Sequence, residues 1–191
     1  NSVYGLKNLG GAIYIEGDNA RITGSEFENS KANEGGIIYL DGDYCNVTNS
    51  SFKGGYAHRG SGSSTSIVCG GGAIYSTGSY SNVYYCNFTD NTAQANGGGI
   101  LWYGGASSQY NTIVGCVFIN NTAYADCSLN TRGGGGVYWS LGGYNGVIRN
   151  STFINNTVLS SGKAEGGAVL WDRCRNGILD GCYFSYRFLS D

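Results

Sequence analysis

The sequence predicts an all-β fold, a right-handed parallel β-helix of six coils, from three observations. Gly-Gly pairs recur along the chain, a short apolar run follows each pair, and a Phe comes at a nearly constant distance of 16 to 19 residues. The pairs end at Gly11, Gly36, Gly72, Gly99, Gly136 and Gly167, and the Phe residues are Phe27, Phe52, Phe88, Phe118, Phe153 and Phe184. Regular repeats of this kind are typical of a solenoid. We expect a single domain over residues 1–191.

Positions at fixed distances from each Phe share one chemical character, which predicts stacked core columns. Five residues before it are Ile22, Val47, Val83, Ile113, Ile148 and Leu179. Two residues before it are Ser25, Ser50, Cys86, Cys116, Ser151 and Cys182. Five residues after it are Ala32, Ala57, Ala93, Ala123, Val158 and Leu189. Two residues after each Gly pair are Ile13, Ile38, Ile74, Leu101, Tyr138 and Val169.

The length of the repeat favours a coil of three strands. The shortest units, from Gly11 to Gly36 and from Gly72 to Gly99, have 25 and 27 residues. A propeller blade needs about 40 to 45 residues. The chain has no Pro, and Gly, Asn, Ser and Asp separate its β-rich runs, as expected for strands joined by turns.

Asn follows Phe by three residues in three coils, at Asn91, Asn121 and Asn156. Stacked Asn side chains can hydrogen-bond along a column, so we expect an Asn ladder at one corner. Three ordinary turn residues are the alternative.

Composition excludes some classes of function. Eleven Lys and Arg residues are scattered, and the net charge is −2, so a nucleic-acid partner is not expected. No apolar run approaches the roughly 20 residues that span a bilayer, so no membrane insertion is expected in this segment.

The Gly-Gly-Ala-Ile openings at Gly11–Ile13 and Gly72–Ile74, combined with Phe-x-x-Asn, resemble the repeats of polymorphic outer-membrane proteins and archaeal adhesin-like β-helix proteins. The resemblance covers essentially the whole chain, although Ser30, Gly55 and Arg187 stand where Asn would be expected. It implies display at the cell surface, adhesion and, in many relatives, great length.

Aromatic residues stand three positions after the Gly pair in five coils. They are Tyr14, Tyr39, Tyr75, Trp102 and Trp139. Because side chains alternate between the two faces of a strand, an inward Ile13 column predicts an outward aromatic stripe of roughly 20 Å. Such a stripe suits stacking against sugar rings or another subunit and is our predicted ligand-binding surface. An internal aromatic stack is the alternative.

Two other side-chain groups are candidate sites. The carboxylates of the first two coils are weak candidates for Ca²⁺, the one cofactor considered, with solvated turns as the alternative. They are Glu16, Asp18, Asp41 and Asp43. Among seven Cys residues, Cys69 and Cys127 lie in long excursions from one corner, where a disulfide could join them. Cys86, Cys116 and Cys182 belong to the small core column, which predicts packing thiols.

Six Asn-x-Ser/Thr sequences are candidate glycosylation sites. They begin at Asn46, Asn49, Asn87, Asn120, Asn150 and Asn155. With the family resemblance they predict a secreted or cell-surface glycoprotein.

The function expected is therefore a non-enzymatic extracellular surface protein, adhesive or structural, whose partners are surface glycans or other cells. Neither end shows a capping helix, so we expect the end coils to meet flanking coils of a longer chain or other copies, head to tail in a filament. A polysaccharide lyase or glycoside hydrolase on the same scaffold is the alternative. The acidic residues of the first coils and the basic residues Arg132, Arg149, Arg173 and Arg175 do not share one column, which disfavours it.

Overall fold

The computed structural model describes residues 1–2, 8–59, 69–104, 109–125, 132–140 and 143–186. In these residues the strands form four sheets, three with six strands and one with five. Every strand pairs in parallel with the equivalent strand of the neighbouring coil. This arrangement confirms the predicted six-coil parallel β-helix. The first five coils each carry a short fourth strand, which the repeat length did not predict. No fourth strand is described in the sixth coil.

The strands of each sheet come from successive coils. The first sheet contains Ile13–Glu16, Ile38–Asp41, Ile74–Ser76, Ile100–Tyr103, Val137–Ser140 and Val169–Asp172. The second contains Arg21–Thr23, Asn46–Thr48, Asn82–Tyr84, Thr112–Val114, Val147–Arg149 and Ile178–Asp180. The third contains Glu26–Glu28, Ser51–Lys53, Asn87–Thr89, Val117–Ile119, Thr152–Ile154 and Tyr183–Ser185. The fourth contains Lys31–Ala32, Tyr56–Ala57, Thr92–Ala93, Thr122–Ala123 and Thr157–Val158.

The six Phe residues form one continuous stack through the core. Neighbouring ring centroids are 4.6 to 5.2 Å apart, and the rings are parallel to within 8°. The four central rings are fully buried. Each stacked pair adds about 0.5–1.5 kcal/mol beyond the burial of its apolar area, so the predicted Phe column is a main source of stability.

The predicted Asn ladder is confirmed. Asn91 donates from Nδ2 to Oδ1 of Asn121 at 2.9 Å, and Asn121 donates in the same way to Asn156 at 2.9 Å. Each Nδ2 also donates to the carbonyl of a Phe in the preceding coil. All three side chains are buried with their polar atoms satisfied, which fixes this corner.

The Gly pair is required for two different steric reasons. The first Gly has φ between 59° and 67° in every coil, a left-handed conformation that favours glycine. The second faces the next coil: a Cβ at Gly72 would lie 2.0 Å from the carbonyl oxygen of Gly98. The pair therefore allows close approach of successive coils.

The Gly runs of the fourth and fifth coils shift the register by one residue from that predicted. Gly97 and Gly134 have the left-handed backbone of the first Gly of a pair. The pairs are therefore Gly97–Gly98 and Gly134–Gly135, and a third Gly follows each pair. Ile100 and Val137, and not Leu101 and Tyr138, therefore pair in the Ile13 column. The predicted places of Leu101 and Tyr138 were wrong.

The third Gly of each run makes room for a large side chain. A Cβ at Gly99 would lie 3.2 Å from the ring of Phe118, so this position faces the core. The same two coils carry the buried pair Trp102 and Trp139, whose ring centroids are 4.8 Å apart. Other glycines face these rings: a Cβ at Gly146 would lie 3.1 Å from the ring of Trp139, so close packing there also depends on Gly.

Candidate functional site

The aromatic stripe predicted from the Gly pairs is not exposed. Tyr14 is 46% exposed, but Tyr39 is 7% exposed, and Tyr75, Trp102 and Trp139 are each 1% exposed. The register shift divides these residues between two columns on opposite faces of the first sheet. The two Trp residues lie in the main core, and the tyrosines lie in a second apolar cluster on the other face. The predicted exposure was wrong for four of these five residues.

The second apolar cluster contains Tyr39, Tyr75, Leu101 and Tyr138. Burial is the main cause that raises the pKa of Tyr75, and the nearby Glu34 carboxylate adds to it. The hydroxyl of Tyr138 donates to Oδ2 of Asp172 at 3.0 Å, and Asp172 also pairs with Arg132. These tyrosines are structural residues.

A different row of tyrosines is exposed at the corner between the first and second sheets. Tyr44, Tyr80 and Tyr110, here called the tyrosine ladder, are 50%, 41% and 48% exposed. Their ring centroids are 5.0 and 5.2 Å apart, and neighbouring rings are parallel to within 13°. The ladder is therefore a continuous aromatic ridge on three successive coils.

Each ladder residue has a left-handed backbone, with φ between 54° and 59°. The other coils place Asn19, Asn145 and Asn176 at this position, also with positive φ. Asn adopts this conformation readily, whereas a bulky L-residue is strained there by about 1–2 kcal/mol. The second, third and fourth coils thus carry a strained residue that exposes an aromatic ring.

The outer side of the second sheet continues this surface. Tyr84 lies on the third strand of this sheet, and Tyr85, 63% exposed, lies at the next corner with φ of 55°. Tyr85 borders a groove of about 330 Å³. Its other lining residues are Gly24, Ser25, Glu26, Asn49, Ser50, Ser51 and Asn87. We call the ladder, Tyr84, Tyr85 and this groove the tyrosine face.

Amide side chains support the tyrosine face beside the ladder. Asn82 donates from Nδ2 to Oδ1 of Asn46 at 2.9 Å, and Asn46 donates to the carbonyl of Tyr44 at 3.0 Å. Within the described residues 69–125, Asp90 is the one charged side chain. Arg21, Glu26 and Asp43 lie on or beside the face in the first two coils, so the face is aromatic and amide-rich with its charge at one end, which suits a hydroxyl-rich ligand.

The four Ca²⁺ candidates do not form one cluster. They are Glu16, Asp18, Asp41 and Asp43, and among the described residues no three carboxylate, His or Cys side chains are placed to hold a metal ion. Asp18 accepts from the N–H of Asp43 at 2.8 Å, and Asp43 accepts from the N–H of Ser79 at 2.7 Å. These carboxylates hydrogen-bond along their column, so the geometry favours turn residues.

The cysteines of the small column pack as predicted. Cys86 and Cys116 are buried free thiols, and the N–H of Cys86 donates to Sγ of Cys116 at 3.4 Å. Burial raises the pKa of Cys116. Cys69 is buried, whereas Cys127 lies outside the described residues, so their disulfide stays a prediction.

The glycosylation candidates differ in exposure. Asn49, Asn87, Asn120 and Asn150 are exposed, and Asn46 and Asn155 are partly buried. Asn49 and Asn87 line the groove of the tyrosine face, so a glycan there would cover it.

The ladder carries a signal in the sequence that the Gly-based alignment missed. Asn or Tyr lies three residues before the aliphatic column in all six coils. The pairs are Asn19–Ile22, Tyr44–Val47, Tyr80–Val83, Tyr110–Ile113, Asn145–Ile148 and Asn176–Leu179. Alignment on this column instead of the Gly pairs would have identified a corner where Tyr replaces Asn.

Comparison with known proteins agrees with this architecture. No curated protein and no solved structure matches the chain. In the part of the chain that is described, no helix has the length and apolarity needed to cross a bilayer. The family model of the right-handed β-helix region matches residues 1–186, nearly the whole sequence. With its four parallel sheets, the chain belongs to the right-handed β-helix region family.

Proposed function

We propose that this chain is a non-enzymatic, adhesive domain of a secreted or cell-surface protein, and that it binds neutral carbohydrate through the tyrosine face. One observation carries the proposal: Tyr44, Tyr80 and Tyr110 keep exposed rings at positions where their backbone is strained. Strained residues that the fold does not require are concentrated at functional sites. Asn at the same position in the other coils supports the view that the fold does not require Tyr here.

The geometry of the ladder determines what it offers a ligand. Because the rings stack on one another, their faces are largely covered and their edges form the ridge. Tyr is amphipathic, with an apolar ring and a polar hydroxyl. Such a ridge contacts the C–H groups of a sugar chain and hydrogen-bonds its hydroxyls, and rungs about 4.8 Å apart match an extended chain better than a compact ligand.

The acidic groups of the tyrosine face favour binding over hydrolysis. Glycoside hydrolysis by the common mechanism uses two carboxylates about 5–9.5 Å apart. Glu26 is the one carboxylate that lines the described groove. A lyase or glycoside hydrolase, the alternative function, would release unsaturated or shortened sugars from a polysaccharide.

The proposal is tested with a glycan array and isothermal titration of the sugars that bind. The variant Tyr44→Asn/Tyr80→Asn/Tyr110→Asn installs the residue of the other coils and should reduce binding at least tenfold. Tyr124→Asn removes an exposed Tyr outside the face and should bind like the wild type. Equal binding by both variants, no binding of any glycan by the wild type, or turnover of the bound sugar would contradict the proposal.

A further inference from the structure

The tyrosine ladder holds phenol rings of three successive coils side by side. The ring centroids of Tyr44 and Tyr80 are 5.0 Å apart, and those of Tyr80 and Tyr110 are 5.2 Å apart. The three residues are between 41% and 50% exposed, so a reagent in solution reaches each ring. Residues that are distant in the sequence therefore present neighbouring, accessible phenols.

A second pair of stacked tyrosines has the same spacing but lacks this access. The ring centroids of Tyr39 and Tyr75 are 5.0 Å apart, and the rings are parallel to within 8°. These residues are 7% and 1% exposed, and burial raises the pKa of both hydroxyls. Among the described residues, the ladder pairs are the stacked tyrosines that have both rings exposed.

Exposure also leaves the ladder rings room to turn. A covalent bond between two phenols joins ring edges, at the carbons ortho to the hydroxyls, whereas the ladder rings meet face to face. The χ2 torsion of Tyr is broad, so two neighbouring rings can turn edge to edge while the backbone stays in place. The coils hold successive rungs about 4.8 Å apart, which keeps the two edges within reach.

We propose that the ladder is a site of oxidative tyrosine cross-linking, at which Tyr80 bonds to Tyr44 or to Tyr110. The co-reactant is hydrogen peroxide, used by a haem peroxidase. Each phenol loses one electron and one proton, and these two electrons and two protons reduce the peroxide to two water molecules. The two tyrosyl radicals form one C–C bond between ortho carbons, and the hydrogens on those carbons move to the oxygens, which restores both phenols. The proposal does not rest on carbohydrate binding.

The cross-link would join one coil to the next through side chains, in addition to the hydrogen bonds of the strands. A bond between residues distant in the sequence restricts the unfolded chain, as a disulfide does. The cross-linked protein should therefore melt about 5 °C or more above the untreated protein.

The experiment treats the folded protein with hydrogen peroxide and a haem peroxidase, at a protein concentration low enough to favour bonds within one molecule. The intact mass should fall by two hydrogen atoms, and the fluorescence of dityrosine should appear. Peptide mapping should join Tyr80 to Tyr44 or to Tyr110. The buried pair Tyr39 and Tyr75 serves as an internal control and should stay unlinked.

Three Phe substitutions identify the bond, because each removes a hydroxyl and keeps the ring. Tyr80→Phe removes the phenol that both ladder pairs share, so the ladder cross-link should be lost. Tyr44→Phe leaves the pair of Tyr80 and Tyr110 and should still give the cross-link. Tyr124→Phe changes an exposed Tyr outside the ladder and should cross-link like the wild type.

Three results would overturn the proposal. The first is a wild type whose ladder peptides remain unlinked after treatment. The second is a cross-link between Tyr39 and Tyr75 that forms as readily as the ladder cross-link. The third is dityrosine that Tyr80→Phe does not reduce, or that forms between molecules only.

Discussion

Asn121 donates a hydrogen bond from Nδ2 to Oδ1 of Asn156 over 2.9 Å, one coil away, and both side chains are buried. The Oδ1 of Asn121 in turn accepts from both the backbone N–H and Nδ2 of Asn91. The backbone N–H of Asn121 also donates to Oδ1 of Asn156, at 3.1 Å.

Asn121→Ala should therefore lower the free energy of unfolding by about 3 kcal/mol, because it leaves buried donors of Asn91 and the buried carbonyl of Phe88 unsatisfied. Urea denaturation measures this difference. Asn87→Ala, at an exposed strand position, should change stability by less than about 0.5 kcal/mol. A loss below 1 kcal/mol for Asn121→Ala would show that the ladder contributes little.

Phe118→Ala should cost about 3–5 kcal/mol, because the ring is fully buried and stacks on both sides. Phe184→Ala removes the same side chain where it is 44% exposed and stacks on one side, so its cost should be less than half as large. Thermal and urea unfolding of the two variants test this gradient. Equal losses would contradict a stack whose stability depends on burial.

Gly72→Ala should destabilise the protein by about 3 kcal/mol or more, since its Cβ would lie 2.0 Å from the carbonyl oxygen of Gly98. Gly167→Ala is the matched substitution in the last coil, where the nearest atom would be 3.5 Å away. We expect Gly167→Ala to be neutral within about 0.5 kcal/mol. Circular dichroism at increasing temperature distinguishes the two outcomes, and similar melting temperatures would contradict the close-approach argument.

Stability should fall as the pH rises above about 10, the ordinary pKa of Tyr. Burial raises the pKa of Tyr75 and Tyr138, so the folded protein keeps their protons at a pH where the unfolded chain loses them. The contribution of these two tyrosines to the free energy of unfolding is complete below pH 10. It is lost as the pH rises further, because the unfolded state then binds fewer protons than the folded state. Urea midpoints between pH 8 and 11 measure the slope, which Tyr75→Phe should reduce; an unchanged slope would contradict this assignment.

The stacked core was predictable from sequence because a parallel β-helix repeats its side chains at fixed distances from one landmark. Phe118 and Asn121 occupy their predicted places for this reason. The aromatic surface was not predictable from the Gly pairs, because a run of three or four glycines does not show which two form the pair. An error of one residue in the pair was enough for the prediction to place Trp102 on the surface, although it lies in the core, because successive side chains of a strand point to opposite faces.

The tyrosine ladder was hidden for another reason. Tyr is typical of strands, so at Tyr80 it gives no sign of a left-handed turn, whereas Asn145 at the equivalent position does. The structure supplied what the residue type could not, namely the backbone conformation of the corner. The cluster that buries Tyr75 follows a single column of the repeat, but the prediction missed it because it assigned Leu101 and Tyr138 to the Ile13 column.

In the residues that the structure describes, the hydrogen bonds between neighbouring strands of each sheet join a coil to the coils directly before and after it. A gene rearrangement that removes or duplicates one complete repeat therefore joins two surfaces of the same shape and leaves the remaining contacts as they were. The length of such a protein can change during evolution in steps of about 4.8 Å, the spacing of neighbouring strands. Within the tyrosine face, the same event would lengthen or shorten the aromatic ridge by one ring.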